Sequence, residues 1–389
     1  MDDTMLGIPL KTALQQPDWN DYEQTRLVRK ELSLRAPLVQ ATDVRALREQ
    51  LARVAAGRAH VVQSGDCSED PDESTSEHVH RKAAVLDLLA GALKLITRKP
   101  VVRIGRMAGQ FGKPRSNDTE SVDGVELPVY RGHMVNLPDP DAESRRPDPL
   151  RMLTGYMAAS EITRNLGWAG ACRRHAESTV WTSHEALLLD YEVPMVREQE
   201  TGELLLASTH FPWIGERTRQ VDGAHVALLA KVVNPVACKV GPKMTPDELL
   251  ALCERLDPQR EPGRLTLIAR MGADAVADRL PSLVAAVRAA GHPVAWLTDP
   301  MHGNTISTPS GHKTRLVPVV EREVRAFKYA VESEGGVAGG LHLETTPDDV
   351  TECVRTEAHL DRVGERYTSH CDPRLTPAQA MSVVTAWAG

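Results

Sequence analysis

Eight short β-rich runs alternate with helical patterns along this chain, and that alternation limits its fold more than any other feature. The runs are HVVQSG, PVVRIGRMAG, VWTSH, LLLASTHF, VACKVG, LTLIARMG, VAWLTDP and GGLHLE. Between most of them lie stretches with apolar residues at helical spacing. These are SEHVHRKAAVLDLLAGALKLITRK, the segment near Met152–Leu166, DELLALCERL, ADAVADRLPSLVAAVRAAG, VPVVEREVRAFKYAVESEG and DDVTECVRTEAHL. Strands that alternate with helices pair in parallel, because each helix carries the chain back across the sheet. Eight such units predict a closed (β/α)8 TIM barrel of the α/β class. No internal repeat or low-complexity tract interrupts the pattern. A last helix is expected over TPAQAMSVVTAWAG, with Thr376 as N-cap and Pro377 in the first turn.

Residues 1–57 precede the first run and read as an N-terminal helical extension to a catalytic barrel over residues 58–389. Asp18-Trp19-Asn20-Asp21 is placed to start a short helix. Residues 40–56 form an amphipathic pattern, with Thr42 as the expected N-cap and Val44, Leu47, Leu51 and Val54 on one face. That face is expected to pack against the body or against another subunit. A length of 389 residues suits one barrel-sized domain with additions, or two ordinary domains. A net charge of -7 and 4% aromatics exclude the basic stripes and stacking platforms of a nucleic-acid binder. No basic n-region opens the chain, and no apolar run approaches the ~18–20 residues that span a bilayer. A cytoplasmic location is the default expectation. The cysteines, Cys67, Cys172, Cys238, Cys253, Cys353 and Cys371, are scattered without a CxxC and do not form a disulfide framework.

Barrel active sites lie at the C-terminal ends of the strands. Reading off the residue at or just past each run gives Cys67, Arg106, His184, His210, Lys239, Arg270, His302 and Glu344. Every one is ionisable or a metal ligand, which a purely structural interior does not require. The stretch from His210 to Pro242 adds Arg217, Arg219 and Lys231, with Lys243 just beyond, around Trp213 and Glu216. Any one of these cations alone reads as an ordinary surface charge. Trp213, Glu216 and Arg217, however, sit among Gly and Pro rather than on a periodic polar face. Arg forks beside a Lys point charge suit a phosphate group. A basic pocket inside an acidic protein implies a small phosphorylated ligand. Cys67, His302, Glu344 and Asp372 each have a plainer reading: an inert thiol, a loop histidine, a helix-start carboxylate and a turn.

The blocks QSGDCSE, RIGRMAGQFGKPRS, WTSHEALLLDYE, WIGERTRQVDGAHV with NPVACKVGP, LTLIARMG, DPMHGNT, GGLHLETTPDDVTECV and SHCDPRLTPAQA follow one another from about His60 to the C-terminus. Together and in that order they resemble class II (plant-type) 3-deoxy-D-arabino-heptulosonate 7-phosphate (DAHP) synthases. The resemblance implies condensation of phosphoenolpyruvate with D-erythrose 4-phosphate and water to DAHP and phosphate. This would be the first step of the shikimate pathway or of a secondary-metabolite branch. It implies Cys67, His302, Glu344 and Asp372 as ligands of a divalent metal. Such mixed thiolate, imidazole and carboxylate donors suit manganese or cobalt, with iron or zinc as further options. It also implies Arg106, Glu216, Arg217, Lys239 and Arg270 for phosphoenolpyruvate, and Lys113, Arg115 and Ser116 of KPRS for erythrose 4-phosphate. Lys239 and Glu216 are the expected catalytic residues, Lys239 guiding water or a proton and Glu216 orienting a cation or water.

The resemblance further implies a homodimer or homotetramer and a chorismate mutase partner. In two places the chain departs from the family pattern. Gln63-Ser64-Gly65-Asp66-Cys67 stands where the family reads QGGDC, and His133 replaces the aspartate of YRGD. His133 makes an amino- or imino-erythrose phosphate acceptor the nearest rival reading. A catalytically silent partner of a shikimate enzyme is a remote one. The short chain leads to an expectation of weak inhibition, or none, by Phe, Tyr or Trp.

Overall fold

The computed structural model describes residues 7–122, 124–168 and 179–389, so Cys172 lies outside the described residues. Its central sheet has eight strands: β1 His60–Gly65, β2 Val101–Arg106, β3 Trp181–Ser183, β4 Trp213–Ile214, β5 Val236–Val240, β6 Leu265–Ala269, β7 Ala295–Thr298 and β8 Ala338–Glu344. Their order is β3-β2-β1-β8-β7-β6-β5-β4, and every pairing is parallel. The two ends meet. A parallel bridge joins Glu185 to Trp213, Phe211 N donates to Thr182 O at 3.1 Å, and Trp213 N donates to His184 O at 3.1 Å. The sheet is therefore a barrel, and the sequence expectation of a (β/α)8 fold holds. The longer helices among the described residues are α1 Tyr22–Leu34, α2 Ala41–Ala55, α3 Ser76–Thr97, α4 Arg151–Asn165, α5 Ala224–Leu229, α6 Pro246–Leu256, α7 Val276–Ala289, α8 Val317–Ser333 and α9 Pro377–Thr385, and a single helical turn forms at Leu189–Glu192. No helix among the described residues is long and apolar enough to cross a membrane.

Strand side chains alternate with a period of two, so each strand sends one residue set into the barrel. The set is apolar at the lower end and charged at the upper end. Val102 and Ile104 lead up to Arg106, Ala237 to Lys239, and Ile268 to Arg270. The lower residues Val61, Trp181, Phe211, Ala295 and Leu297, with Trp213 reaching up to the cleft, belong to one buried cluster. Helix α2 plugs this lower mouth. Its Leu47, Leu51 and Val54 are nearly solvent-free and belong to the same cluster. Gly263, at φ +82°, leaves room for the helix backbone at Arg48 and Ala52. Each such side chain contributes about 1.5–3 kcal/mol of hydrophobic stabilisation. The amphipathic stripe read in the sequence thus packs against the body.

Three local expectations differ from the structure. Helix α2 is capped at Gln40, with no side-chain bond, rather than at Thr42. The LLLASTHF run is not the fourth barrel strand: Leu204–Leu206 pairs antiparallel with Val196–Glu198, and the chain reaches the barrel only at Trp213. His210 therefore sits deep under the rim, its Nδ1 2.8 Å from Thr182 Oγ1 and its ring 5.2 Å from that of Trp181. Burial pushes its imidazole down to about 3. Finally, DDVTECVRTEAHL forms only a 3-10 segment, Glu357–Arg362. Val350, Thr351 and Val354 are poor helix formers. Glu352 spends its carboxylate on the backbone N–H groups of Thr368, Ser369 and Arg374 at 2.7–3.1 Å. The expected Thr376 cap is present as a full capping box with Gln379.

Candidate active site

The upper mouth of the barrel opens into a cleft of about 480 Å³. It is lined by Arg106, Lys113, Arg115, Ser116, Glu216, Arg217, Lys239, Arg270, His302 and Asp372. Every substrate-site residue expected from the sequence is therefore on one wall or another. Cys67 and Glu344 lie below the floor, both buried.

One corner gathers the expected metal donors. Ligand atoms of Cys67, Glu344 and Asp372 lie within 4.8 Å of one another. His302 Nε2 is 3.3 Å from Glu344 Oε1 but lies outside that group, so the structure brings three of the four expected donors together and leaves the fourth beside Glu344. The other ring nitrogen, Nδ1, is 3.0 Å from Asp299 Oδ1, which fixes the ring orientation. Burial disfavours the Glu344 carboxylate, but His302, Arg315, Lys113 and Arg106 outweigh it and hold the carboxyl at about 2. Asp372 is likewise held well below the usual carboxylate range, burial being overcome by Lys113, Arg315, His302 and Lys313. Burial pushes the Cys67 thiol well up. Lys113 Nζ lies 2.5 Å from Cys67 Sγ, 2.7 Å from Asp372 Oδ2 and 4.0 Å from Glu344 Oε1. A positive charge thus already sits where three donors converge, and the donor set fits a borderline divalent cation.

The second feature is a concentration of cations. Arg106 is buried, stacks 5.3 Å from the Trp213 ring centroid, and donates to Glu344 Oε1 at 3.1 Å and to Asp66 O at 3.1 Å. Another of its nitrogens meets His342. Lys239 is buried against Asp299. Burial lowers its ammonium to about 8, with Arg106 and Arg270 adding to the effect and Asp299 opposing it. Arg270 donates to His302 O at 3.0 Å, while its Nε is buried without a partner. Arg217 is exposed and reaches across the cleft to Ser116 Oγ at 2.6 Å. It therefore stands at the border between the two expected subsites. Arg115 pairs with Glu120 at 3.1 Å. The sequence reading put Lys113 with the sugar phosphate; the structure puts its ammonium among the metal donors.

Glu216 packs over Gly241. One oxygen takes Arg219 at 2.9 Å and the other is buried without a partner. Sequence reasoning missed two residues of the cleft region, Glu185 and Asp299. Glu185 lines the cleft, and its Oε1 is buried with no hydrogen-bond partner. Burial raises its carboxyl above the usual range despite Lys113, Lys239, Arg217 and Arg106 nearby. The strand period was the available signal. Trp181, Ser183 and Glu185 are in phase, whereas His184 is out of phase and bonds Glu192 at 2.8 Å outside the barrel interior. Asp299 is in phase with Leu297 in the same way. His133 does not line the cleft; its Nδ1 is 2.6 Å from Tyr130 Oη.

Comparison with known proteins bears on this geometry. The model of the class-II DAHP synthetase family matches residues 8–177 and 160–388. A probable phospho-2-dehydro-3-deoxyheptonate aldolase of Pseudomonas fluorescens is 58% identical over 389 residues, covering 100% of this chain and 97% of the relative. A phospho-2-dehydro-3-deoxyheptonate aldolase of Streptomyces coelicolor is 42% identical over 420 residues, covering 95% and 93%. Among solved structures, the phospho-2-dehydro-3-deoxyheptonate aldolase of Francisella tularensis superposes with a TM-score of 0.55 at 14% identity, covering 94% of this chain and 95% of that one. That last likeness concerns the fold alone.

Proposed function

The chain belongs to the class-II DAHP synthetase family, and on that premise we propose how its cleft works as a DAHP synthase. The reaction joins phosphoenolpyruvate, D-erythrose 4-phosphate and water into DAHP and inorganic phosphate, forming one C–C bond. It opens the shikimate pathway or a secondary-metabolite branch of it. The observation that carries our site assignment is the meeting of two sets in one cleft: Arg106, Lys239 and Arg270 from three strand ends, and the donors Cys67, His302, Glu344 and Asp372 beside them.

Phosphoenolpyruvate carries a phosphate and a carboxylate close together. Arg106, Lys239 and Arg270 neutralise them, and the unpartnered Arg270 Nε gains an acceptor. Arg217, Arg115 and Ser116 take the phosphate of the sugar at the outer wall. Holding two anions side by side supplies much of the rate through positioning and charge neutralisation. Cys67, His302, Glu344 and Asp372 would hold a divalent metal, manganese or cobalt in our reading, which would supply Lewis-acid polarisation of the aldehyde carbonyl. C3 of phosphoenolpyruvate bonds to the aldehyde carbon, water adds at C2, and the C–O bond to phosphate breaks. Lys239, with its ammonium lowered to about 8, and Glu185, with a free buried oxygen, are placed to hold that water and move its proton. Glu216 acts from behind, fixing Arg219.

Nothing in the cleft favours the amino-sugar acceptor, because His133 lies outside it. A silent regulatory partner would have a broken donor or cation set, and all members of both are present. We place the enzyme in the cytoplasm, in keeping with free thiols at Cys67, Cys238, Cys253, Cys353 and Cys371. A homodimer or homotetramer would cover the exposed Tyr22, Leu27 and Leu34 of α1. Docking of a chorismate mutase is a further expectation from the family. The test is phosphate release from phosphoenolpyruvate, with and without erythrose 4-phosphate, in metal-stripped enzyme and after adding manganese or cobalt. Release that needs both sugar and metal supports the reading; phosphoenolpyruvate binding without release rejects the acceptor.

A further inference from the structure

Arg315 follows the short hairpin formed by Ile306–Ser307 and Lys313–Thr314, and leads into α8. It has no solvent exposure. Its Nε donates to Met301 O at 2.6 Å and to Thr305 Oγ1 at 3.1 Å. One terminal nitrogen donates to Glu344 Oε2 at 2.9 Å, and the other to the carbonyl of Pro373. Met301 immediately precedes His302, and Pro373 immediately follows Asp372. A single guanidinium therefore grips the three chain segments that deliver three of the four metal donors.

We propose that Arg315 is the positioning residue of the metal centre. With Oε2 committed to Arg315, Glu344 turns Oε1 toward Arg106, His302 and Lys113, and so presents one oxygen to the metal. The bonds to Met301 and Pro373 hold the backbone next to His302 and Asp372 at a fixed separation. Only a planar fork of donors serves all three directions; a lysine at this point reaches one of them. Partners behind the ligands of a metal tune its affinity by about 10–100-fold. Lys239 and Arg270 share no bonding partner with Arg315, and Arg106 keeps Asp66 O and His342 in its absence. Arg315 thus acts on metal affinity without setting anion affinity. The proposal rests on the donor assignment made above.

The experiment compares full-length wild type with Arg315→Lys. Manganese affinity is measured by competition with a chelator, and thiolate ligation by the charge-transfer absorbance of the cobalt-loaded protein. Phosphoenolpyruvate affinity is measured in metal-free protein by tryptophan fluorescence, Trp213 lining the cleft. The expected result is manganese binding about 10–100-fold weaker, with phosphoenolpyruvate affinity within about threefold of wild type. Manganese affinity unchanged by the substitution overturns the proposal. So does a parallel loss of both affinities, which marks general loosening. If Arg315→Lys does not fold, Arg315→Gln, which can still bond Glu344, is read by the same criteria. If wild-type manganese binding survives Cys67→Ser, the donor assignment is wrong and the proposal falls with it.

Discussion

Glu323→Gln separates stability from alignment in this barrel. Glu323 projects from α8, is 1% exposed, and receives three donors. Oε1 accepts Met271 N at 3.2 Å and Gly272 N at 2.9 Å, and Oε2 accepts Asn304 Nδ2 at 2.5 Å. It therefore clasps the loop after β6, which carries Arg270, to the loop after β7, which carries His302. Asn304 cannot turn over to suit a glutamine, because its Oδ1 takes Ala273 N at 3.0 Å and its Nδ2 serves Pro300 O at 2.8 Å. In the variant two amide N–H₂ groups face each other and the clasp opens. Burial meanwhile raises the Glu323 carboxyl from 4.5 to about 7. At about 1.4 kcal/mol per pH unit that gap is worth about 3 kcal/mol. The folded pKa lies above the unfolded one. The stability gained by holding the proton is therefore complete below pH 4.5 and is lost as pH rises through about 7. Glutamine does not titrate. Urea unfolding at about pH 5 should find the variant the less stable by about 1–3 kcal/mol, the cost of its unpaired buried amide. Between about pH 5 and pH 8 the difference should move in the variant's favour by up to about 3 kcal/mol. Its kcat/KM for phosphoenolpyruvate should nonetheless fall about tenfold or more, the cost of losing a charge-assisted hydrogen bond from the clasp. Subtracting the two unfolding curves cancels every other titrating group. A difference that stays constant between the two pH values refutes the argument.

The kcat/KM for phosphoenolpyruvate should decline above about pH 8, where the free-enzyme Lys239 loses its proton; a profile flat well beyond that pH would remove Lys239 from anion binding. Gly241→Ala places a Cβ 2.7–2.8 Å from the Glu216 carboxylate atoms. It should cost about 1–3 kcal/mol in thermal unfolding and raise KM, and an unchanged melting curve would show that Glu216 has room to move. Excess chelator should abolish condensation while phosphoenolpyruvate still quenches tryptophan fluorescence, because Arg106, Lys239 and Arg270 keep their own protein partners. Loss of phosphoenolpyruvate binding on chelation would mean that the metal is part of the anion site.

The barrel was legible because each strand-plus-helix unit writes its own periodicity locally. Seven of the eight runs fall on barrel strands. The fourth failed because its real strand is two residues long, Trp213–Ile214, while the β-rich LLLASTHF beside it forms a hairpin. Segment length misled there, and closure by Glu185 and Trp213 is a contact between distant segments that no local pattern records. Cys67, Arg106, Lys239, Arg270, His302 and Glu344 stood out by position at strand ends and Arg217 by its place among Gly and Pro, whereas Asp372, Lys113 and Arg115, and the particular role of each residue, came only from the family resemblance. What stayed hidden was the support behind them. Arg315, Glu323 and Asp299 look like ordinary charged residues in sequence. Their meaning lies in which backbone groups they meet, and that depends on how loops from different strands fold over one another.

The distribution of unpaired atoms gives the site its direction. Most buried charge here is matched: Lys239 by Asp299, Arg315 by Glu344, Arg374 by Glu352. A buried charge without a partner costs several kcal/mol, and an unsatisfied buried donor or acceptor about 1–3 kcal/mol. Buried side-chain atoms without a hydrogen-bond partner also occur away from the cleft, as at Tyr191, Asp257 and His292. Yet Arg270 Nε, Glu185 Oε1 and Glu216 Oε2 are buried and without partners, and Arg270, Glu185 and Glu216 all line the same cleft. Arg270 awaits an acceptor, as an anion would supply; the two carboxylate oxygens await donors, as water or a hydroxyl would supply. On the proposed reading, an anion and a water entering the cleft together would satisfy these three atoms. That is the chemical requirement of adding water to an enol phosphate as a new C–C bond forms.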